Sequence, residues 1–173
     1  MRILKAALVL QCLFFAAWGG RLLASSRSGE EMWLRTVPVD PRDLISGHYV
    51  ALSYDLNSPS AQACAELLAG PEGSAVFVEL RPSTETGHVA GREVKVWEAK
   101  ACRARAEGLA GSWAKGVVRR SSWRAPSIEF GIERFYVTED SPLRQAHSGQ
   151  VLAKTSLHRG RLSLRDIVLP DGP

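Results

Sequence analysis

Two stretches hold most of the residues whose types can do chemistry. The first is Pro38-Val39-Asp40-Pro41-Arg42-Asp43-Leu44, followed by Ser46-Gly47-His48-Tyr49-Val50-Ala51-Leu52-Ser53-Tyr54. The second is Phe130-Gly131-Ile132-Glu133-Arg134-Phe135-Tyr136-Val137. Asp40, Asp43 and Glu133 offer carboxylates, and two carboxyl groups about 5–9 Å apart can divide acid and base work between them. The same residues have a simpler use. Asp40 and Asp43 cap the turn that Asp-Pro-x-Asp specifies. Arg42 and the second stretch then form a charge-assisted network around Glu133 or Arg134. The structural use is the preferred reading. Tyr49 and Tyr54 are expected to fill a core or a groove between strands.

Cysteine and histidine offer little. The four histidines, His48, His88, His147 and His158, stand singly, and neither CxxC nor CxxCH occurs. That spacing suits neither zinc nor haem, so no metal and no cofactor is expected. Cys64 and Cys102 are the only cysteines beyond the N-terminal apolar run. In an oxidising compartment they can close one disulfide, worth about 4 kcal/mol by chain entropy. The alternative is two separately buried thiols. Cys12 reads as a small apolar residue inside a helix.

A third feature is basic. Lys100, Arg103, Arg105, Lys115, Arg119, Arg120 and Arg124 face only Glu107 in this segment, with Trp113 and Trp123 interleaved. Arginine beside tryptophan suits a membrane interface or an acidic partner. Arg119, Arg120, Trp123 and Arg124 are the candidate binding residues. The competing reading is a solvated strand face whose arginine stems cover apolar surface.

These residues must be positioned by a chain of 173 residues with 45% apolar and 23% charged content. Such values fit one globular domain, with or without an anchor. The formal charge of +4 is unevenly placed. Three of the 22 basic residues, Arg2, Lys5 and Arg21, precede position 25, while all 18 acids follow it, leaving 19 against 18 on the rest. A nucleic-acid-binding domain would carry its excess on the folded part, so nucleic acid is not an expected partner.

The N-terminus divides from the rest. Met1–Lys5 is basic, and Ala6–Gly20 is apolar apart from Gln11. A secretory signal and an uncleaved single-span anchor both fit this pattern. Ala6 to Ala24 would measure about 28 Å as a helix, close to hydrocarbon thickness. The nearest cleavage patterns, Ala17-Trp18-Gly19 and Ala24-Ser25-Ser26, are poor. The preferred division is therefore an uncleaved membrane anchor at 1–24 and an extracytoplasmic domain at 25–173. Basic residues before the run favour a cytoplasmic N-terminus.

Alternation in the exported part points to strands at Met32–Val39, His48–Leu56, Ser74–Arg81, Arg92–Ala104, Ser112–Arg119 and Ser127–Val137. A hairpin of Gln150–His158 and Arg161–Leu169 turns at Arg159-Gly160. Gly87–Gly91 reads as a turn. The phase shift at Gly131 reads as a β-bulge. Ser60–Gly70 and Pro142–His147 read as short helices. The expected fold is mainly β: a transmembrane helix, then a small antiparallel barrel or sandwich with one or two short helices.

The two chemical stretches also carry a resemblance. Gly47-His48-Tyr49-x-x-Leu52-x-Tyr54 resembles the motif that names the GDYXXLXY domain family, with His48 where that motif has Asp. Phe130–Val137 is similar to the family's later Gly-Ile-Glu-Arg-aromatic strand. The resemblance implies a small membrane-anchored bacterial protein with one β-rich domain and no established reaction. It marks Asp40, Arg42, Asp43, Gly47, Tyr49, Leu52, Tyr54, Gly131 and Glu133 as motif residues. A proline-leucine-glycine turn before an apolar strand also resembles signal-peptidase-like barrels, which use a Ser/Lys dyad. The matching position here is Val39, and Lys95 or Lys115 would have no serine to activate. No catalytic residue is assigned.

These readings lead to two functional expectations. The first is an inner-membrane protein whose non-catalytic extracytoplasmic domain binds a membrane-protein partner or an envelope component. The alternative is an envelope hydrolase using Asp40, Asp43 and Glu133.

Overall fold

The structure is a computed structural model that describes residues 2–27, 29–37, 49–60, 62–108, 111–121, 124–136 and 151–170. Asp40, Arg42, Asp43, Gly47, Trp123 and the expected helix at Pro142–His147 lie outside the described residues. The chain divides into two compact units, Met1–Glu30 and Glu31–Pro173.

The first unit is one helix, α1 (Arg2–Arg27). Leu4, Leu8, Val9, Leu10, Leu13, Phe14, Phe15, Trp18 and Leu22 are 51% to 76% exposed along it. At 100° per residue these side chains point in every direction around the axis, so no face is reserved for water. The expectation of a transmembrane helix needs correction. Among the described residues no helix is both long and apolar enough to cross a membrane. Gln11 and Arg21 bound the longest uninterrupted apolar part of α1. Between them the uninterrupted apolar run, Cys12–Gly20, gives only about 13 Å of helix against a hydrocarbon core of about 30 Å.

The second unit is mainly β. Its elements are β1 (Glu30–Val37), β2 (Tyr49–Ala51), β3 (Ser53–Tyr54), a 3-10 turn (Asp55–Asn57) and α2 (Gln62–Leu68). There follow β4 (Ala75–Val89), β5 (Arg92–Arg103), β6 (Ser112–Ser121), β7 (Arg124–Glu129), β8 (Arg134–Tyr136), β9 (Leu152–His158) and β10 (Arg161–Val168). One sheet has the order β10-β9-β1-β5-β4-β6-β7, with β3 added to the end of β1. Most pairings are antiparallel, but β1 and β5 run parallel, with Trp33 opposite Val96. A second, two-stranded sheet joins β2 to β8.

Alternating apolar positions define the core. Val76, Val78 and Leu80 of β4 are buried together with Met32, Leu34, Leu52, Tyr54, Leu56, Ile128 and Ile132. Two buried threonines tie β1 to β9: Thr36 Oγ1 donates to the Val151 carbonyl at 2.6 Å, and Thr155 Oγ1 to the Met32 carbonyl at 3.0 Å. The turn after β9 also reaches β6, where the Lys115 N–H donates to the Gly160 carbonyl at 2.7 Å.

Several boundaries differ from the alternation pattern. β4 and β5 form one long hairpin that turns at Ala90-Gly91, where both φ angles are positive (51° and 72°). That geometry matches the right-handed twist of the strands it joins. Gly87, read from sequence as part of a turn, lies within β4. A Cβ there would fall 2.5 Å from Leu152 Cδ1, so the glycine permits a close approach. Gly131 does not form a bulge. Its φ of 81° ends the strand, and the chain leaves β7 to enter β8 in the other sheet. The strand expected to run to Leu56 stops at Tyr54, because Asp55–Asn57 turns into a 3-10 helix.

Candidate functional site

The two motif stretches meet. Tyr49, Val50 and Ala51 of β2 pair with Tyr136, Phe135 and Arg134 of β8. Just beyond, the Leu52 N–H donates to the Glu133 carbonyl at 2.8 Å. The chain then turns inward, burying Leu52, Tyr54 and Leu56 at 1% to 3% exposure.

Polar groups at this junction are largely consumed by one another. The Tyr54 hydroxyl donates to the Ile132 carbonyl at 2.8 Å. Asn57 Nδ2 donates to the Ile128 carbonyl at 2.6 Å and to Glu133 Oε1 at 3.1 Å, while Asn57 Oδ1 accepts from the Tyr54 N–H at 2.5 Å. Glu133 Oε1 also accepts from the Phe130 N–H at 2.7 Å. A primary amide donates and accepts at once, which lets Asn57 join the turn after β3 to the segment between β7 and β8. Glu133 Oε2 is buried and lacks a hydrogen-bond partner among the described residues. Burial, and then the charge of Glu133, push the Tyr54 phenol far above its ordinary value. A phenol held neutral in this way is a hydrogen-bond donor and not a base.

Sequence reasoning marked Leu52, Tyr54, Gly131 and Glu133, and the structure brings Leu52, Tyr54 and Glu133 into one junction, with Gly131 at its turn. Tyr49 is placed by its backbone in β2. Asn57 lies outside the residues that the motif marks. The signal available was its position three residues after the last motif tyrosine, where an amide can bond back to the chain.

The basic segment is partly committed within the domain. Lys100 pairs with Glu79 at 2.8 Å, and Arg119 with Glu129 at 2.5 Å. The Arg103 guanidinium lies 5.5 Å from the Trp113 ring centre, and Trp113 itself is buried. Arg120 donates to the Ala69 and Gly70 carbonyls at 2.6 and 2.7 Å, at the C-terminal end of α2. Carbonyls at a helix end lack intrahelical donors, and a cation suits the negative end of the dipole. Arg124 begins β7, and its side chain is not described.

Cys64 in α2 and Cys102 in β5 form a disulfide with a Cα–Cα distance of 4.9 Å. Both residues are buried, so this link fastens the short helix to the sheet. Among the described residues no group of three or more His, Cys, Asp or Glu is placed to hold a metal ion.

Neither the curated proteins nor the solved structures include a match to this chain. The family described as GDYXXLXY protein matches residues 11–166, a span that takes in both motif stretches and the strands between them, and the chain belongs to that family.

Proposed function

We propose that this is a membrane-attached protein whose β domain lies outside the cytoplasm and binds a membrane-protein partner or an envelope component without catalysing a reaction. The observation that carries the proposal is α1. Its apolar side chains are exposed on all sides, and water is a poor solvent for such a helix. Lipid covers it at no cost, with Lys5 and Arg21 reaching toward polar headgroups. We read α1 as an export signal retained as a lipid-seated anchor in a bacterial inner membrane. The Cys64–Cys102 disulfide fits an oxidising compartment. The sheet is read as a partly closed barrel, with the Lys115–Gly160 hydrogen bond drawing its β9–β10 turn round to β6.

The competing reading is an envelope hydrolase using Asp40, Asp43 and Glu133. The buried, unpartnered Glu133 Oε2 is the observation on its side. The use of Glu133 Oε1 by Asn57 and Phe130 favours a structural role.

The test is fractionation of the full chain expressed in bacteria. The proposal expects it to stay in the membrane pellet after a high-pH wash, to dissolve in detergent, and to lose its β domain to protease added outside spheroplasts. Crosslinking in those membranes, followed by mass spectrometry, would then identify the partner. Recovery of the intact chain in the soluble cytoplasmic fraction would overturn the proposal.

A further inference from the structure

Strand register sets Arg103 of β5, Phe77 of β4 and Lys115 of β6 in one row across three neighbouring strands. Residues directly opposite each other in a sheet project from the same face. The adjoining row, Cys102, Val78 and Ala114, is buried in the core, so Arg103, Phe77 and Lys115 project from the outer face. Both cations are exposed, and Phe77 is half-buried. Two inter-strand steps put the Arg103 and Lys115 Cα atoms about 10 Å apart, with Phe77 between them. The Lys115 N–H bonds to the Gly160 carbonyl, which brings the Arg159-Gly160-Arg161 turn to the same part of β6, and both arginines are exposed.

The cations of this patch keep their charge. The register puts two acids on the same face, Glu79 opposite Trp113 and Glu129 opposite Val117. Each is held by another cation, Glu79 by Lys100 and Glu129 by Arg119. Glu107, four residues after Arg103, forms no ion pair among the described residues, and neither do Arg103, Lys115, Arg159 and Arg161. Arg103 is nevertheless fixed in place. Its guanidinium lies 5.5 Å from the Trp113 ring centre, and Nη1 donates to the Gly108 carbonyl at 3.5 Å. Most of the N–H groups of its planar fork stay available.

We propose that this face docks an acidic helical segment of a protein partner, with Arg103 and Lys115 pairing with carboxylates on either side of an apolar side chain seated on Phe77. The inference rests on the reading of the β domain as a binding module and names the chemistry of its partner. Charge complementarity and spacing select the occupant. A guanidinium held in place favours paired bonds to a carboxylate. On a helix, acids at i and i+7 lie about 10.5 Å apart on one face, and residues at i+3 and i+4 fall between them. That pattern matches the row of cation, phenyl ring and cation. An anionic lipid surface attracts Lys and Arg without any such geometry.

The experiment titrates the full chain in detergent micelles against a dye-labelled helical peptide with Glu at i and i+7 and Leu at i+3 and i+4. The control peptide has Gln in place of both Glu residues, and fluorescence anisotropy reports binding. The Glu peptide is expected to bind about tenfold more tightly, and less so in high salt. Lys115→Glu and Arg103→Gln should each weaken it by about fivefold or more. Arg92→Glu, at the far end of the β4–β5 hairpin, should leave it unchanged. Lys115 is exposed, so its substitution tests the surface even if Arg103→Gln disturbs the packing on Trp113. Equal binding of the two peptides overturns the inference, as does an equal loss from Arg92→Glu and Lys115→Glu. If the peptides bind equally and phosphatidylglycerol vesicles slow trypsin cleavage after Lys115, the occupant is lipid and the inference is overturned. If wild type and Lys115→Glu crosslink the same membrane partner equally, this surface fails and the binding reading stands. A chain recovered in the soluble cytoplasmic fraction that still prefers the Glu peptide overturns the membrane reading and leaves the surface standing.

Discussion

Asn57 and Glu133, 76 residues apart in sequence, meet at 3.1 Å between the Asn57 side-chain amide and the Glu133 carboxylate. This contact, together with the β2–β8 pairing, turns two separated motif stretches into one structural unit. The Glu133 oxygen that receives Asn57 also caps the Phe130 N–H, so the same carboxylate shapes the turn at Gly131. On this account the motif residues Leu52, Tyr54 and Glu133 build the junction.

Tyr54→Phe is expected to cost about 1–2 kcal/mol at neutral pH, because the buried Ile132 carbonyl loses its donor. The pH dependence has a definite sign. The folded-state phenol is raised above its unfolded value, so its contribution is fully present below about pH 10 and is lost as pH climbs beyond that. Denaturant titrations at rising alkaline pH should show the wild type losing stability faster than the phenylalanine variant.

How much of this was legible varies with the residue. Alternation located Val76, Val78 and Leu80, because an apolar side chain at every second position has one physical meaning on a half-buried strand. It did not separate Gly87 from Gly91. Both look like turn residues, yet one permits the approach of Leu152 and the other supplies a positive φ. Arg120 looked like a surface cation because its acceptors are carbonyls of α2, some 50 residues earlier. Asn57 was invisible as a hub for the same reason: its bonds to Ile128 and Glu133 exist only once the chain has folded.

Arg120→Ala should loosen α2. The Ala69 and Gly70 carbonyls lose their donor, so the helix C-terminus frays. Hydrogen exchange of amides in Gln62–Leu68 is expected to accelerate several-fold while β4 and β5 stay protected. Unchanged exchange in α2 would remove Arg120 from its capping role.

The double substitution Cys64→Ser, Cys102→Ser should lower stability by about 4 kcal/mol. Reductant should lower the stability of the wild type and leave the double variant unaffected. Equal denaturation curves for wild type with and without reductant would contradict a structural disulfide.

The Asp55 carboxyl is raised from its ordinary value, first by burial, with the Arg35 charge opposing the shift and Glu85 adding a smaller push in the same direction as burial. A raised folded-state value means that the charged form opposes folding. The penalty is full above that value and vanishes as pH falls below the unfolded one. Asp55→Asn should therefore raise Tm by about 1 °C at neutral pH and leave it unchanged at pH about 3, as read by scanning calorimetry. A lower Tm at neutral pH would show that the Arg35 attraction dominates.

The most direct test of the junction is a double-mutant cycle on Asn57→Ala and Glu133→Ala, read as unfolding free energy in denaturant. Each single variant strands buried partners, Asn57→Ala at the Ile128 carbonyl and Glu133→Ala at the Phe130 N–H. The account predicts that both are destabilised and that the double variant loses less than the sum, with a coupling of about 1 kcal/mol or more. Additivity within about 0.3 kcal/mol, with both single variants as stable as wild type, would contradict it.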